Sequence, residues 1–130
     1  MMNINESNKQ FEPTRSELEI LRIIWQEGPS TVRSVNDELL KQKEVNYATT
    51  LKLMQIMADK GILKRDESQM KHIYSAAEEE QKTKAQLLEK FVDSIYNGSA
   101  SKLVMQLLGN KMTSPEDLKD IKDILDKLED

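Results

Sequence analysis

The polar residues that could do chemistry in this chain are not arranged for catalysis. Cysteine is absent and His72 is the only histidine, which removes thiolate nucleophiles, thiolate metal sites and a disulfide framework. His72 has no cluster of partners around it, so it is expected to be an ordinary strand residue rather than a base or ligand. Asp117 and Asp120 stand three apart among lysines, the pattern of a salt-bridged helix surface rather than a metal site. Nothing converges as nucleophile, base and electrophile, so an enzyme is not expected, and no cofactor or metal is called for. What remains is a group of cationic and hydrogen-bonding side chains in two places. Asn46, Tyr47, Ala48, Thr49, Lys52 and Gln55 belong to one helical segment, and Lys64, Arg65 and Lys71 line a short hairpin. Such side chains suit recognition of nucleic acid: polar groups on a helix reach base edges, and ammonium and guanidinium groups reach phosphates. The same helix face equally suits simple solvation, and Tyr47 either touches a phosphate or covers the helix start.

The elements that would position these residues can be read from capping and periodicity. Thr14-x-x-Glu17 after Pro13 is a capping box, so a first helix begins there. Its apolar face carries Leu18, Leu21, Ile24 and Trp25, widened by Ile20 and Ile23, and Gly28-Pro29 stops it. A second helix runs from Ser30 or Thr31 to Lys41, burying Val32, Val35, Leu39 and Leu40, and Lys41–Val45 is a turn. Asn46 caps a third helix that ends on Gly61. Leu53 is taken as the centre of its inward face, with Thr50 and Met57 close beside it and Met54 on its edge. The outward face then presents Ala48, Lys52, Gln55 and Asp59, with Leu51 near it and Thr49 at the exposed shoulder. Ile62–Asp66 and His72–Ser75 read as two strands around a tip at Glu67–Met70. Helix, turn, helix and hairpin in that order make a winged helix-turn-helix, a shape that fits the DNA major groove.

The fold expected is therefore mainly α with a small β-hairpin. A flexible tail covers residues 1–12, a winged helix-turn-helix DNA-binding domain covers 13–77, and a three-helix dimerisation domain covers 78–130. In that last part, residues 79–96 align Leu87, Leu88, Phe91, Val92, Ile95 and Tyr96. After Asn97-Gly98, Ser99 caps a short helix around Leu103, Val104, Met105, Leu107 and Leu108. Gly109–Thr113 breaks the chain again. Ser114-Pro115-Glu116-Asp117 starts a last helix with a stripe of Leu118, Ile121, Ile124, Leu125 and Leu128. Three helices with wide apolar faces are too few to enclose a core alone, and a second copy of the chain is the natural cover. The residues expected at that contact are Leu88, Phe91, Ile95, Leu103, Leu107, Leu118, Ile121 and Leu125. The net charge of −4 arises wholly in residues 78–130, because the first 77 residues hold 11 basic and 11 acidic side chains. A locally neutral head with placed cations is compatible with a phosphate backbone. No apolar run is long enough for a bilayer, so no membrane insertion is expected and the location is cytoplasmic.

Several stretches together resemble the BlaI/MecI/CopY family of winged-helix repressors, from about Thr14 to the C-terminus. They are Glu17-Leu18-Glu19-Ile20-Leu21…Ile24-Trp25, Thr31-Val32…Val35…Leu39, and Tyr47-Ala48-Thr49-Thr50…Leu53…Lys60-Gly61-Ile62-Leu63-Lys64-Arg65. Tyr74-Ser75 and Ser101-Lys102-Leu103-Val104 add to the match. The resemblance implies a homodimer that binds a palindromic operator on double-stranded DNA through helix three and the wing, with interlocked tail helices. It places Thr49 where the family has a threonine at the start of the recognition helix. Leu51 and Ile56 fall where methicillin- and penicillinase-type members carry arginines, which implies a different operator. Those members are inactivated by cleavage of an Asn-Phe bond after a membrane sensor detects β-lactam. The matching pair here is Gln106-Leu107, a candidate cleavage site for a membrane sensor protease. Copper-responsive members use a cysteine motif, which this chain lacks. A sequence-specific transcriptional repressor is therefore expected. The rival is a winged-helix protein–protein interaction module without specific DNA binding, favoured by the acidic net charge and by the aliphatic Leu51 and Ile56.

Overall fold

A computed structural model of the chain describes residues 12–109 and 113–128. The tail expected over residues 1–12 lies outside that range except for Glu12, as does most of the expected break at Gly109–Thr113. After Lys84 the chain divides into two compact units.

The first unit contains α1 (Arg15–Glu27), α2 (Val32–Leu40), α3 (Tyr47–Asp59), β1 (Leu63–Asp66) and β2 (Ile73–Ala76). It is a winged helix-turn-helix. At the start of α1 the capping box is complete: the Glu17 N–H donates to Thr14 Oγ1 at 3.2 Å, and the Thr14 N–H to Glu17 Oε1 at 2.8 Å. Gly28 adopts φ 85° beyond its other end, a left-handed conformation that glycine takes without steric penalty. Thr31 caps α2 by accepting from the Ser34 N–H at 3.1 Å. The core gathers Ile20, Leu21 and Ile24 from α1, Val35 and Leu39 from α2, Met54 and Met57 from α3, and Leu63 and Tyr74 from the hairpin. Each such side chain contributes roughly 1.5–3 kcal/mol when removed from water.

Two expectations about burial need correction. Leu40 is 50% exposed, because Leu39 takes the inward position and the next residue rotates away by about 100°. On α3 the inward face centres on Thr50 and Met54 rather than Leu53. Leu51 and Leu53 both pack, half-buried, against the core, and the middle of the arc between them falls at those two residues. The strands also begin one residue later than expected. β1 and β2 pair antiparallel from Leu63↔Ala76 to Asp66↔Ile73, which leaves His72 just outside the ladder. Reciprocal bonds of 2.9 and 2.8 Å between the backbones of Ser30 and Tyr74 tie the wing to the α1–α2 connection. Trp25 is half-buried and donates its indole N–H to Glu78 O at 3.2 Å.

α4 (Glu80–Tyr96) runs into the second unit, which also holds α5 (Ala100–Leu108) and α6 (Pro115–Leu128). Asn97 at φ 51° and Gly98 at φ 82° turn the chain out of α4. Ser99 Oγ then accepts from the Lys102 N–H at 3.3 Å and starts α5. Ser114 and Asp117 cap α6 reciprocally, at 3.0 and 3.2 Å. Asp117 therefore serves the helix start. Among the described residues no ion pair joins the acids of α6 to its lysines, so the salt-bridged surface expected there is not formed. Their side chains fan out into water, where such pairs gain little. No described helix is long and apolar enough to cross a membrane.

Candidate nucleic-acid interface

The outward face of α3 is small and polar because the residues a turn apart on it are Ala48, Lys52, Gln55 and Asp59, all exposed. Thr49 is exposed at the N-terminal shoulder, and Ile56 is 37% exposed beside Lys52. Asn46 is exposed but already engaged: its Oδ1 accepts the Ala48 N–H at 2.7 Å as the N-cap. Tyr47 is 43% exposed, and the Arg33 guanidinium lies over its ring, 5.3 Å from the centroid. Tyr47 thus forms a platform at the helix start and keeps much of its surface in solvent.

On the wing, Lys64, Arg65 and Lys71 are all exposed, yet they are not equivalent. Arg65 Nε is 2.7 Å from Glu67 Oε1. The Tyr74 hydroxyl, and then Glu67, hold the Arg65 guanidinium protonated and raise its pKa above the usual arginine value. Among the described residues Lys64, Lys71, Lys52 and Arg33 have no carboxylate at ion-pair distance. Tyr47 and Lys71 come together across one cleft between the helices and the wing, and Arg33 and His72 also line it.

Three features of this region escaped the sequence. Arg33 is one: Val32, Val35 and Asn36 of α2 are buried, and Arg33 leaves the flank of that stripe to meet Tyr47. Asking which cations on α2 stand off its apolar stripe would have found it. The other two features are polar ties that hold α3. Thr50, the fourth residue of α3, donates from Oγ1 to Asn36 Oδ1 of α2 at 2.7 Å in a buried setting. At the far end, Lys60, the C-cap of α3, donates to both oxygens of Glu17 at 2.9 and 3.2 Å. Glu17 is 2% exposed, so this carboxylate serves the α1 cap and the end of α3 at once. Among the described residues no buried side-chain polar atom lacks a partner. Buried Thr and Asn look apolar-neutral in a helical pattern, and only the packed fold reveals that they meet.

In the second unit the residues expected at a contact between copies are mostly on the surface. Leu88, Phe91, Ile95, Leu107, Leu118 and Leu125 are exposed by 38–61%, while Leu103 and Ile121 are half-buried. Gln106 and Leu107 lie within α5, and Leu107 O accepts the Thr113 hydroxyl.

A winged helix-turn-helix with an exposed polar face on its third helix, followed by amphipathic helices, is the architecture of a transcriptional regulator. The comparison with known families agrees. The family model described as penicillinase repressor matches residues 13–127, and the chain belongs to that family of transcriptional repressors. It is similar to the penicillinase repressor of Staphylococcus aureus, 27% identical over 122 residues that cover 94% of this chain and 97% of the relative. It is also similar to the methicillin resistance regulatory protein MecI of Staphylococcus aureus strain N315, 24% identical across 92% of this chain and 98% of the relative. The penicillinase repressor of Bacillus licheniformis is 23% identical over 112 residues, covering 86% and 88% of the two chains.

Proposed function

We propose that this protein represses transcription as a homodimer bound sequence-specifically to a palindromic operator. Residues 13–77 form its DNA-binding domain and residues 78–130 its dimerisation domain. The observation that carries this reading is the exposed face of α3 with Lys52 on it, together with Lys64 and Lys71 on the wing, all three without carboxylate partners among the described residues. Thr49, Lys52 and Gln55 would approach base edges or phosphates, Asn46, Tyr47 and Ala48 the entry to the groove, and Lys64, Arg65 and Lys71 the backbone. Two heads would meet half-sites about one helical turn or a multiple apart, at roughly 34–36 Å per turn.

Exposed leucine, isoleucine and phenylalanine along α4, α5 and α6 support pairing with a second copy, since so many large apolar side chains on three amphipathic helices are seldom left in water. Loss of the dimer would halve the contacts and remove the effective-concentration gain of linked heads. Cleavage at Gln106-Leu107 by a membrane sensor protease is the release route. The protein acts in the cytoplasm, without a cofactor and without catalysis of its own. A second reading, a winged-helix module for a protein partner, draws on the 37% exposure of Ile56 on the same face.

Fluorescence anisotropy tests the choice, with the fragment upstream of the protein's own gene, a scrambled control and several salt concentrations. The repressor reading expects preference for the real fragment and a steep fall of affinity with salt. Weak, sequence-indifferent binding with a flat salt response to every candidate promoter would favour the protein-partner reading.

A further inference from the structure

The cleft between α2, the start of α3 and the wing has a volume of about 250 Å³ and is lined by Thr31, Arg33, Tyr47, Leu51, Lys71 and His72 among others. At roughly 30 Å³ per water it has room for about eight molecules, enough for a hydrated phosphate group. We propose that it seats one phosphodiester of the DNA backbone and that Arg33 is its principal cation. The proposal rests on the DNA-binding reading and adds to it a residue of α2 and a defined place for the strand.

Charge is the first argument. The lining contains Arg33, Lys71 and His72 but no aspartate or glutamate. Some described cations carry a carboxylate, Lys41 with Glu38, Lys43 with Glu19, Lys60 with Glu17 and Arg65 with Glu67. Others, such as Lys52 and the lysines of α6, do not. What sets this cleft apart is that two cations and a histidine line one cavity without an acid. In a chain of net charge −4, the arginine and lysine of this cleft are left without a counter-charge. An anion entering from solvent would supply one.

Geometry is the second. The cation–π contact with Tyr47, 5.3 Å from the ring centroid, holds the Arg33 charge at the cleft. No hydrogen bond or ion pair among the described residues occupies its N–H groups. Those groups form a planar fork matched to phosphate oxygens, and holding it in advance reduces the entropy lost on binding. Tyr47 directly precedes Ala48 and Thr49 of the outward face of α3, so a strand seated here would border the groove that α3 enters. Arg65 makes a poorer contact, because binding a phosphate would first require release of Glu67.

The test uses the full-length protein and anisotropy on the upstream and scrambled fragments across a salt series. Arg33→Ala should weaken binding to both fragments by a similar factor and flatten the slope of log K against log salt by about 0.9, the loss of one phosphate contact. Lys71→Ala should act the same way, and Arg65→Ala should change the slope less than either. Ethylation interference provides a second readout: one phosphate essential to the wild type should become indifferent in Arg33→Ala. A steep wild-type slope that Arg33→Ala and Lys71→Ala both leave intact would overturn the cleft and spare the DNA reading. A wild type with no slope would overturn the DNA reading itself. Calorimetry with inorganic phosphate closes the alternative. Phosphate binding lost in Arg33→Ala without any change of DNA slope would make this a small-anion site and refute the proposal.

Discussion

The buried bond between Asn36 and Thr50 allows a sharp test of how α3 is held. Thr50 is 2% and Asn36 6% exposed, and their oxygens are 2.7 Å apart. Thr50→Val keeps the shape and removes the donor. The Asn36 oxygen is then buried without a partner, at a penalty of about 1–3 kcal/mol. The new methyl group returns about 0.8 kcal/mol, so the net loss should be about 0.2–2 kcal/mol. Asn36→Leu should cost about 1 kcal/mol, within that range, because the orphaned threonine hydroxyl can turn back to a carbonyl of its own helix. The double variant leaves neither group unsatisfied and should return close to wild type. Urea denaturation of all four proteins at one fixed protein concentration measures the cycle. A coupling energy below about 0.5 kcal/mol would mean that the two sites act independently and would refute the reasoning. The functional half of the prediction concerns orientation. Val35, Leu39 and Met54 pack without direction. The Asn36–Thr50 bond instead restricts the rotation and slide of α3 near its start, as the Lys60–Glu17 pair does at its far end. The double variant should therefore keep its stability and its affinity for scrambled DNA while losing several-fold in preference for the operator. Retention of the full preference would reduce the pair to a stabilising contact.

Two further predictions concern charge and assembly. Glu19 has a lowered pKa, chiefly through its hydrogen bond to Lys43, at 2.7 Å. The stability this gives is present above the ordinary carboxylate pKa and is lost as pH falls through the lowered value. Lys43→Ala should remove that acid-side loss, amounting to no more than about 1 kcal/mol for so open a pair, which parallel denaturation at pH 7 and pH 3 would reveal. Leu107→Asp plants a charge on the apolar side of α5 and should convert a dimer to monomers in sedimentation velocity. An unchanged dimer would place that helix outside the contact.

How much was legible in the sequence follows from the range of the signals. Thr14 with Glu17, Asn46, Ser99 and Ser114 act within one helical turn, and each caps the helix it was expected to start. Gly28 and Gly98 mark ends by conformation alone. The hairpin was found but shifted by one residue, because Ile62 and His72 carry strand-like neighbours and only pairing decides the register. Errors began where burial depends on a neighbour. Leu40 and Leu39 are alike as letters, and α2 can present only one of them inward. Leu53 lost the centre of α3 because Leu51 is drawn against the core from the other side. The candidate site divides in the same way. Cations on the wing were visible as residues, but the engagement of Arg65 by Glu67 depends on the local turn of the hairpin tip, and the contact of Arg33 with Tyr47 is a tertiary fact. So are Asn36 with Thr50 and Glu17 with Lys60, which join residues 14 and 43 positions apart.

The proposed release step carries a physical requirement that the structure makes testable. Gln106 and Leu107 are helical residues of α5, and a protease that takes its substrate extended must first open that helix. Opening has little to overcome from packing, since no residue of α5 is fully buried. The Ser99 cap then becomes a sizeable part of what keeps the segment closed in a monomer. Ser99→Ala should destabilise α5 by about 1 kcal/mol, which raises the open population about fivefold. If opening and closing are fast relative to cutting, the cleavage rate follows that population. A protease selective for bonds before leucine should therefore cut Ser99→Ala about five times faster at Gln106-Leu107, with fragments assigned by mass. A partner copy covering α5 would suppress both rates, and Leu118→Gln, which weakens the expected contact without adding charge and leaves the Gln106-Leu107 bond intact, should restore them. Equal rates for wild type and Ser99→Ala under monomeric conditions would show that local opening of α5 does not limit the cut.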